Sequence, residues 1–154
     1  MTFVKTIDGV KEVHGTFGAY DIITKVEANT EDKLREIISK RIRMVPKIRA
    51  TLTLMTHEKN SLFAKKLSSD EKETFNRYAS QAYIAIHCKK TQESEVLHDL
   101  SDIPEVIEGD IVLGSFDIMC KVSVPTYNDI SDVVTKKIRK IKDVRTTITL
   151  NVIP

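Results

Sequence analysis

Two aspartates each stand three residues beyond a glycine, Asp21 after Gly18 and Asp117 after Gly114. A carboxylate so placed can pair with a cation. A glycine leaves its backbone N–H open to an anion, because no side chain shields it. Thr51 with Thr53, and Thr147 with Thr149, add hydroxyls at alternate positions of two β-rich runs. The same residues also have a purely structural reading. Glycine before a small residue makes a good turn, an aspartate beside it caps backbone, and threonine favours strands.

Other chemistries find little support. His14, His57, His87 and His98 show no metal-ligand spacing, and neither do Cys88 and Cys120. The two cysteines read as buried free thiols in a reducing compartment. No glycine-rich phosphate loop, nucleophile elbow or paired-carboxylate site stands out, so no metal or cofactor is expected. The basic runs Lys40-Arg41-Ile42-Arg43 and Lys136-Lys137-Ile138-Arg139-Lys140 fall in the last turns of expected helices. Cations complement the helix dipole there, and no interleaved aromatics suggest stacking on nucleic acid.

The elements that must position these residues come twice. Displaced by about 96 residues, 1–58 match 97–154 without a gap, with roughly a quarter of positions identical. Gly18-Ala19-Tyr20-Asp21-Ile22 falls on Gly114-Ser115-Phe116-Asp117-Ile118, and Arg49-Ala50-Thr51-Leu52-Thr53-Leu54 on Arg145-Thr146-Thr147-Ile148-Thr149-Leu150. The second copy has a front end that the first lacks. Its residues 83–88 are β-rich, and 91–100 suit a helix capped by Thr91 with the stripe Val96, Leu97, Leu100. Residues 106–113 and 116–124 read as a hairpin around Gly114-Ser115. A second helix carries Ile130, Val133, Val134, Ile138 and Ile141, and 145–152 alternate as a final strand.

That order, β-α-β-β-α-β, is the ferredoxin-like split module. The fold expectation is therefore α+β: two ferredoxin-like modules, as in dimeric α/β-barrels, the first lacking its opening strand and helix. The expected boundaries are an incomplete module at 1–58, a connecting helix at 59–81 and a complete module at 82–154. The joining helix rests on the capping pattern of Ser68 with Glu71 and on the stripe Phe75, Tyr78, Ala79, Ala82. A short turn around Leu62 and Phe63 precedes it. In the complete module one sheet face is expected to carry Tyr83, Ala85, Met119 and Thr147 or Thr149. The opposite face is expected to carry Ile84, Ile86, Ile118 and Ile148.

Composition agrees with a packed domain. The chain has 154 residues, 41% hydrophobic and 30% charged, which argues against disorder. Its 24 basic and 22 acidic residues nearly balance, against a dedicated nucleic-acid arm. Two cysteines rule out a disulfide scaffold. No signal peptide is read at Met1-Thr2-Phe3-Val4-Lys5, and no apolar run is long enough to span a membrane.

Taken in order and seen twice, these motifs resemble the regulation-of-amino-acid-metabolism (RAM) domain. That domain is the effector-binding half of Lrp/AsnC transcriptional regulators. The resemblance covers nearly all of the chain except the joining segment. It implies a cytoplasmic, non-enzymatic module that binds a small effector, such as an amino acid, at an interface between modules near the Gly-x-x-Asp hairpin, and that forms homo-oligomers through sheet faces. Full-length Lrp/AsnC regulators are further candidate partners. Family members carry a helix-turn-helix that precedes neither copy, so direct DNA binding is not implied. The implied ligand residues are Gly114, Ser115, Phe116, Asp117, Thr147 and Thr149, with Gly18, Tyr20, Asp21, Thr51 and Thr53 in the shortened copy. Asp117 would hold the ammonium, while the glycine turn and threonine hydroxyls would meet the carboxylate. The alternative is a small dimeric α/β-barrel enzyme, such as a cofactor-free monooxygenase. It would need a pocket inside one barrel with His87 or His98 facing inward.

Overall fold

The structure, a computed structural model, describes residues 1–56, 62–65, 69–70 and 80–154. The chain divides into two units, Met1–Thr53 with Ile153, and Leu54–Val152 with Pro154. Most of the expected joining helix, including Phe75 and Tyr78, lies outside the described residues.

The first unit opens with a short helix, α1 (Thr2–Lys5), then strands β1 (Val10–Phe17) and β2 (Ile22–Val26). These two pair as an antiparallel hairpin, from Val10↔Val26 to Gly15↔Ile22. Helix α2 (Glu31–Glu36) follows, with the Thr30 side chain accepting from the backbone N–H of Lys33. It continues as a π-helical turn over Ile37–Ile42. Its core is small: Ile7, Ile37 and Ile42, with Val10, Val26 and Val45 against them.

The second unit holds β3 (Met55–Thr56), β4 (Phe63–Ala64), β5 (Ser80–Cys88), α3 (Glu93–Ser101), β6 (Val106–Leu113), β7 (Ile118–Val124), α4 (Tyr127–Val133) and β8 (Val144–Val152). Helix α4 also runs on into a π turn, over Val134–Ile138. The four long strands lie in the order β8-β5-β7-β6, every pair antiparallel. This is the ferredoxin-like arrangement, in which the last strand lies beside the first. Both short strands pair with β6: β3 at Leu113 and Val112, β4 at Gly109 and Glu108.

The core of this unit lies between the sheet and α3 with α4. Ile84, Ile86, Val106, Ile118 and Val122 from the sheet meet Leu100, Val96 and Ile138 from the helices, all fully or almost fully buried. Each such side chain contributes roughly 1.5–3 kcal/mol relative to exposure. Burial is unbroken along β5 from Ala82 to Ile86. Tyr83 and Ala85, expected on an open face, keep only 9% and 3% of their exposure. The apolar sheet face from which assembly was inferred is therefore not exposed at those two residues.

The repeat extends to backbone irregularities that composition does not announce. Bulges fall between Val10 and Glu12 in the first hairpin, and between Val106 and Glu108 in the second. Lys47 (φ 75°) and Asp143 (φ 73°) both take left-handed backbone just after their helices.

Three expectations need correction. Residues 49–54 are not a strand; only Met55–Thr56 pair, and they do so with β6. In the second unit the last strand, β8, is held along its length by β5, from Ala82↔Asn151 to Cys88↔Val144. Among the described residues, the first unit has no counterpart of β5 to hold its equivalent. Second, Thr91 does not cap α3: it has φ 72°, and Gln92 is the N-cap residue. Third, the faces of β8 are exchanged. Thr147 opposes Ile86 and Thr149 opposes Ile84, so both threonines share the helix-covered face. Ile148 opposes Ala85, on the other face. Ile118 opposes Ile86 and Met119 opposes Ala85, as expected.

Candidate functional site

The hairpin of the second unit closes through the Val112 N–H, which donates to the Asp117 carbonyl at 2.9 Å. The first unit closes the same way, Thr16 N–H to the Asp21 carbonyl at 2.8 Å. Gly114 (φ 144°) and Gly18 (φ 139°) occupy backbone that side-chain-bearing residues rarely adopt, which is why glycine stands at both turns.

The turn leaves the Asp117 side chain between β7 and the end of β5. The Cys88 N–H donates to Asp117 Oδ2 at 3.0 Å. Lys90 Nζ lies 3.6 Å from Oδ1, and His87 Nδ1 lies 3.9 Å from Oδ2. The Asp117 side chain is only 14% exposed, whereas that of Lys90 is 86% exposed. The ion pair with Lys90 is therefore loosely held and easily exchanged. The His87 ring stacks on Phe116, with centroids 4.5 Å apart, and fixes the next side chain of the turn.

These residues open onto a cleft of about 630 Å³, formed wholly by the second unit. Gly114, Phe116, Asp117 and Lys90 make one end of it. Glu93, Ser94 and His98 of α3 supply further polar groups. Leu62, Phe63, Leu97, Ile111 and Leu113 make an apolar wall. The cleft thus offers a carboxylate, an ammonium, a glycine backbone and a greasy surface together. Polar groups that converge beside an apolar surface can fix the orientation of a small molecule.

The sequence-derived residues do not all meet there. Ser115 is exposed and lies outside the cleft. Thr147 and Thr149 also lie outside it, and the Thr147 hydroxyl accepts from Arg139 Nε at 2.9 Å. The equivalent Thr51 accepts from Arg43 Nε at 2.8 Å, while Thr53 is half-buried in irregular chain. In the first unit Gly18, Tyr20 and Asp21 are exposed. No counterpart of Cys88 stands beside Asp21 among the described residues.

Among the described residues, four groups have perturbed acidities, among them Lys65, whose pKa burial holds below the ordinary lysine value against the opposing pull of Glu105 and Asp102. Burial, aided by the Asp117 and Glu93 carboxylates, pushes the Cys88 thiol up to about 11. Burial alone pushes Cys120 up to about 12. Both thiols are protonated and poor nucleophiles near neutrality. At Glu105, burial pushes the pKa up. The hydrogen bond from Lys137 and the neighbouring lysine charges outweigh it, leaving the carboxyl below its ordinary range.

Lys90, Glu93, His98, Leu62 and Phe63 were not singled out from sequence as ligand residues. Lys90 follows Cys88 closely enough to be found once the hairpin is known to end beside β5. Nothing local to Leu62 or Phe63 signals a site.

The second unit thus has the split βαββαβ order with a cleft at its glycine hairpin. The Lrp/AsnC ligand-binding domain matches residues 1–59 and 81–153, and the chain belongs to that family. Among solved structures, FFRP-DM1 is similar at 34% identity and TM-score 0.47, over 48% of this chain and 99% of its own. The hypothetical protein PHS023 from Pyrococcus horikoshii is similar at 33% identity and TM-score 0.47, over 49% of this chain and 90% of its own. AsnC of E. coli is similar at 20% identity and TM-score 0.49, over 79% of this chain and 70% of its own. No curated protein matches the chain. Among the described residues, no helix is long and apolar enough to cross a membrane.

Proposed function

We propose that this chain is an effector-binding and assembly module for transcription regulation, and that its effector is an amino acid. The observation that carries this reading is the cleft that joins Gly114, Phe116 and Asp117 in a unit of Lrp/AsnC ligand-binding type. A zwitterion needs both charges satisfied, since burying either one unpaired costs several kcal/mol. Its ammonium takes the place of Lys90 at Asp117 Oδ1, while Oδ2 stays with the Cys88 N–H. Its carboxylate meets the Gly114 turn and the released Lys90. Its side chain lies along Leu97, Ile111 and Phe63. The regulatory output is a change in assembly, with a second copy of this chain or with a full-length Lrp/AsnC regulator. The effector drives that change only if it binds one assembly better than another.

The enzyme reading is less favoured. It requires His87 or His98 turned into an enclosed barrel pocket. The side chains of the two are 43% and 76% exposed, and His98 lies at an open cleft beside α3. The test of the effector reading is a thermal-shift panel of the twenty amino acids. At 100 times its Kd a ligand adds about 2.7 kcal/mol to stability. Light scattering tests assembly: particles larger than the 17.5 kDa chain are expected, and a clean monomer with and without effector contradicts it.

A further inference from the structure

The cleft is not built from the repeated module alone. Leu62 and Phe63 fall between the two stretches matched by the family, 1–59 and 81–153. The segment reaches the cleft as strand β4. Phe63 pairs with Gly109 and Ala64 with Glu108 on β6. The Lys65 N–H then donates to the Ile107 carbonyl at 2.8 Å, and Lys65 Nζ to the Ile103 carbonyl at 2.6 Å. Three successive residues, Phe63 to Lys65, are thus tied to β6, so the Phe63 part of the wall stands before any ligand arrives.

The seat for the wall is specific. A Cβ on Gly109 would lie 2.6 Å from Phe63 Cε1, 2.9 Å from Phe63 Cζ and 3.1 Å from Leu97 Cδ1. Only glycine lets the ring approach β6 this closely, and there it packs against the core. The corresponding position of the first copy is Val13, whose side chain would occupy that space. The feature therefore belongs to the second unit's cleft and not to the repeat.

We propose that the joining segment, through Leu62 and Phe63, sets which amino-acid side chain the cleft accepts. This rests on the reading of the cleft as the effector site. The charged end of the cleft contacts groups that every amino acid has, so it cannot discriminate among them. Discrimination falls to the apolar wall. There a methylene more or less is worth roughly 10- to 200-fold between ligands. Phe63 limits the length of an apolar side chain lying along Leu97 and Ile111. Leu62, 46% exposed, borders the same wall.

Calorimetric titration with L-leucine, L-methionine, L-phenylalanine and L-tryptophan tests this on the intact chain and on Phe63→Ala, Leu62→Ala and Asp117→Asn. Phe63→Ala should shift the affinity ratio at least tenfold toward the larger side chains, and Leu62→Ala a few-fold the same way. Asp117→Asn should weaken all four by a common factor and keep their order. The exposed Leu62 is replaceable without loss of core, so its variant reports even if Phe63→Ala folds poorly. Unchanged affinity ratios in both wall variants, or a uniform weakening by Phe63→Ala, overturn the proposal while leaving the effector site intact. An intact chain that binds none of the four overturns both.

Discussion

Asp117 has two roles in this account, and two substitutions at one position separate them. Its Oδ2 accepts from the backbone N–H of Cys88, a residue only 5% exposed. Asp117→Ala strands that donor. A buried N–H without an acceptor costs about 1–3 kcal/mol. The contact with Lys90 adds almost nothing, because that lysine's side chain is 86% exposed. Asp117→Asn keeps an acceptor for Cys88, its amide oxygen, and loses only the charge. A neutral hydrogen bond has roughly half the strength of a charge-assisted one, so the cost falls to about 0.5–1 kcal/mol. For ligand binding the two are alike, since each removes the counter-charge of the ammonium. Losing about 1.5–3 kcal/mol there weakens binding roughly 10- to 100-fold. Urea unfolding at constant m-value reads the first effect, and calorimetry with the effector reads the second. The Cys88 thiol gives a third readout: with the carboxylate gone, its pKa should fall from about 11 in both variants. If Asp117→Ala unfolds at the wild-type urea concentration, the backbone cap on Cys88 is wrong. If Asp117→Asn binds the effector as tightly as wild type, the ammonium role is wrong.

Two further expectations concern groups away from the ligand. With Cys88 held near 11 rather than 9, its thiolate fraction at pH 8 is about 100-fold lower than that of a free thiol, and Cys120 is lower still. Native protein should react slowly with a disulfide reagent at pH 8 and fully in denaturant; two fast thiols in the native state would contradict the burial. Glu105 has its folded pKa depressed, so it contributes stability above the ordinary carboxylate range, lost as pH falls through the folded value. Lys137→Met should therefore destabilise by up to about 1 kcal/mol at pH 7, with the difference from wild type shrinking in acid. A gap that persists unchanged at pH 3 would point to packing instead of charge.

What could be read from sequence was what repeats locally. Gly18 and Gly114 mark their turns because a positive φ demands glycine, and that demand shows in the residue type itself. The helix stripe Ile130, Val133, Val134, Ile138 is likewise local, since its period is a property of one segment. The faces of β8 were not legible, for a physical reason. Alternation says that Thr147 and Ile148 point opposite ways, but only the register with β5 says which way. Hydrophobicity does not break the tie, because burial is unbroken along β5 from Ala82 to Ile86. The fate of residues 49–54 was hidden for a related reason: a strand-forming sequence still needs a neighbour to pair with. The wall of the cleft was least legible of all. Phe63 matters because Gly109, far along the chain, lacks a Cβ, and no window around either residue contains the other.

The most direct test of the central claim is the unfolding temperature of the intact chain against each of the twenty amino acids at millimolar concentration, alongside Asp117→Asn. The account predicts that at least one amino acid with an apolar side chain raises the wild-type midpoint in a concentration-dependent manner. The same ligand should leave Asp117→Asn nearly unmoved at concentrations that saturate wild type. A panel in which no amino acid moves the wild-type midpoint, or in which the best ligand stabilises Asp117→Asn equally, would contradict it.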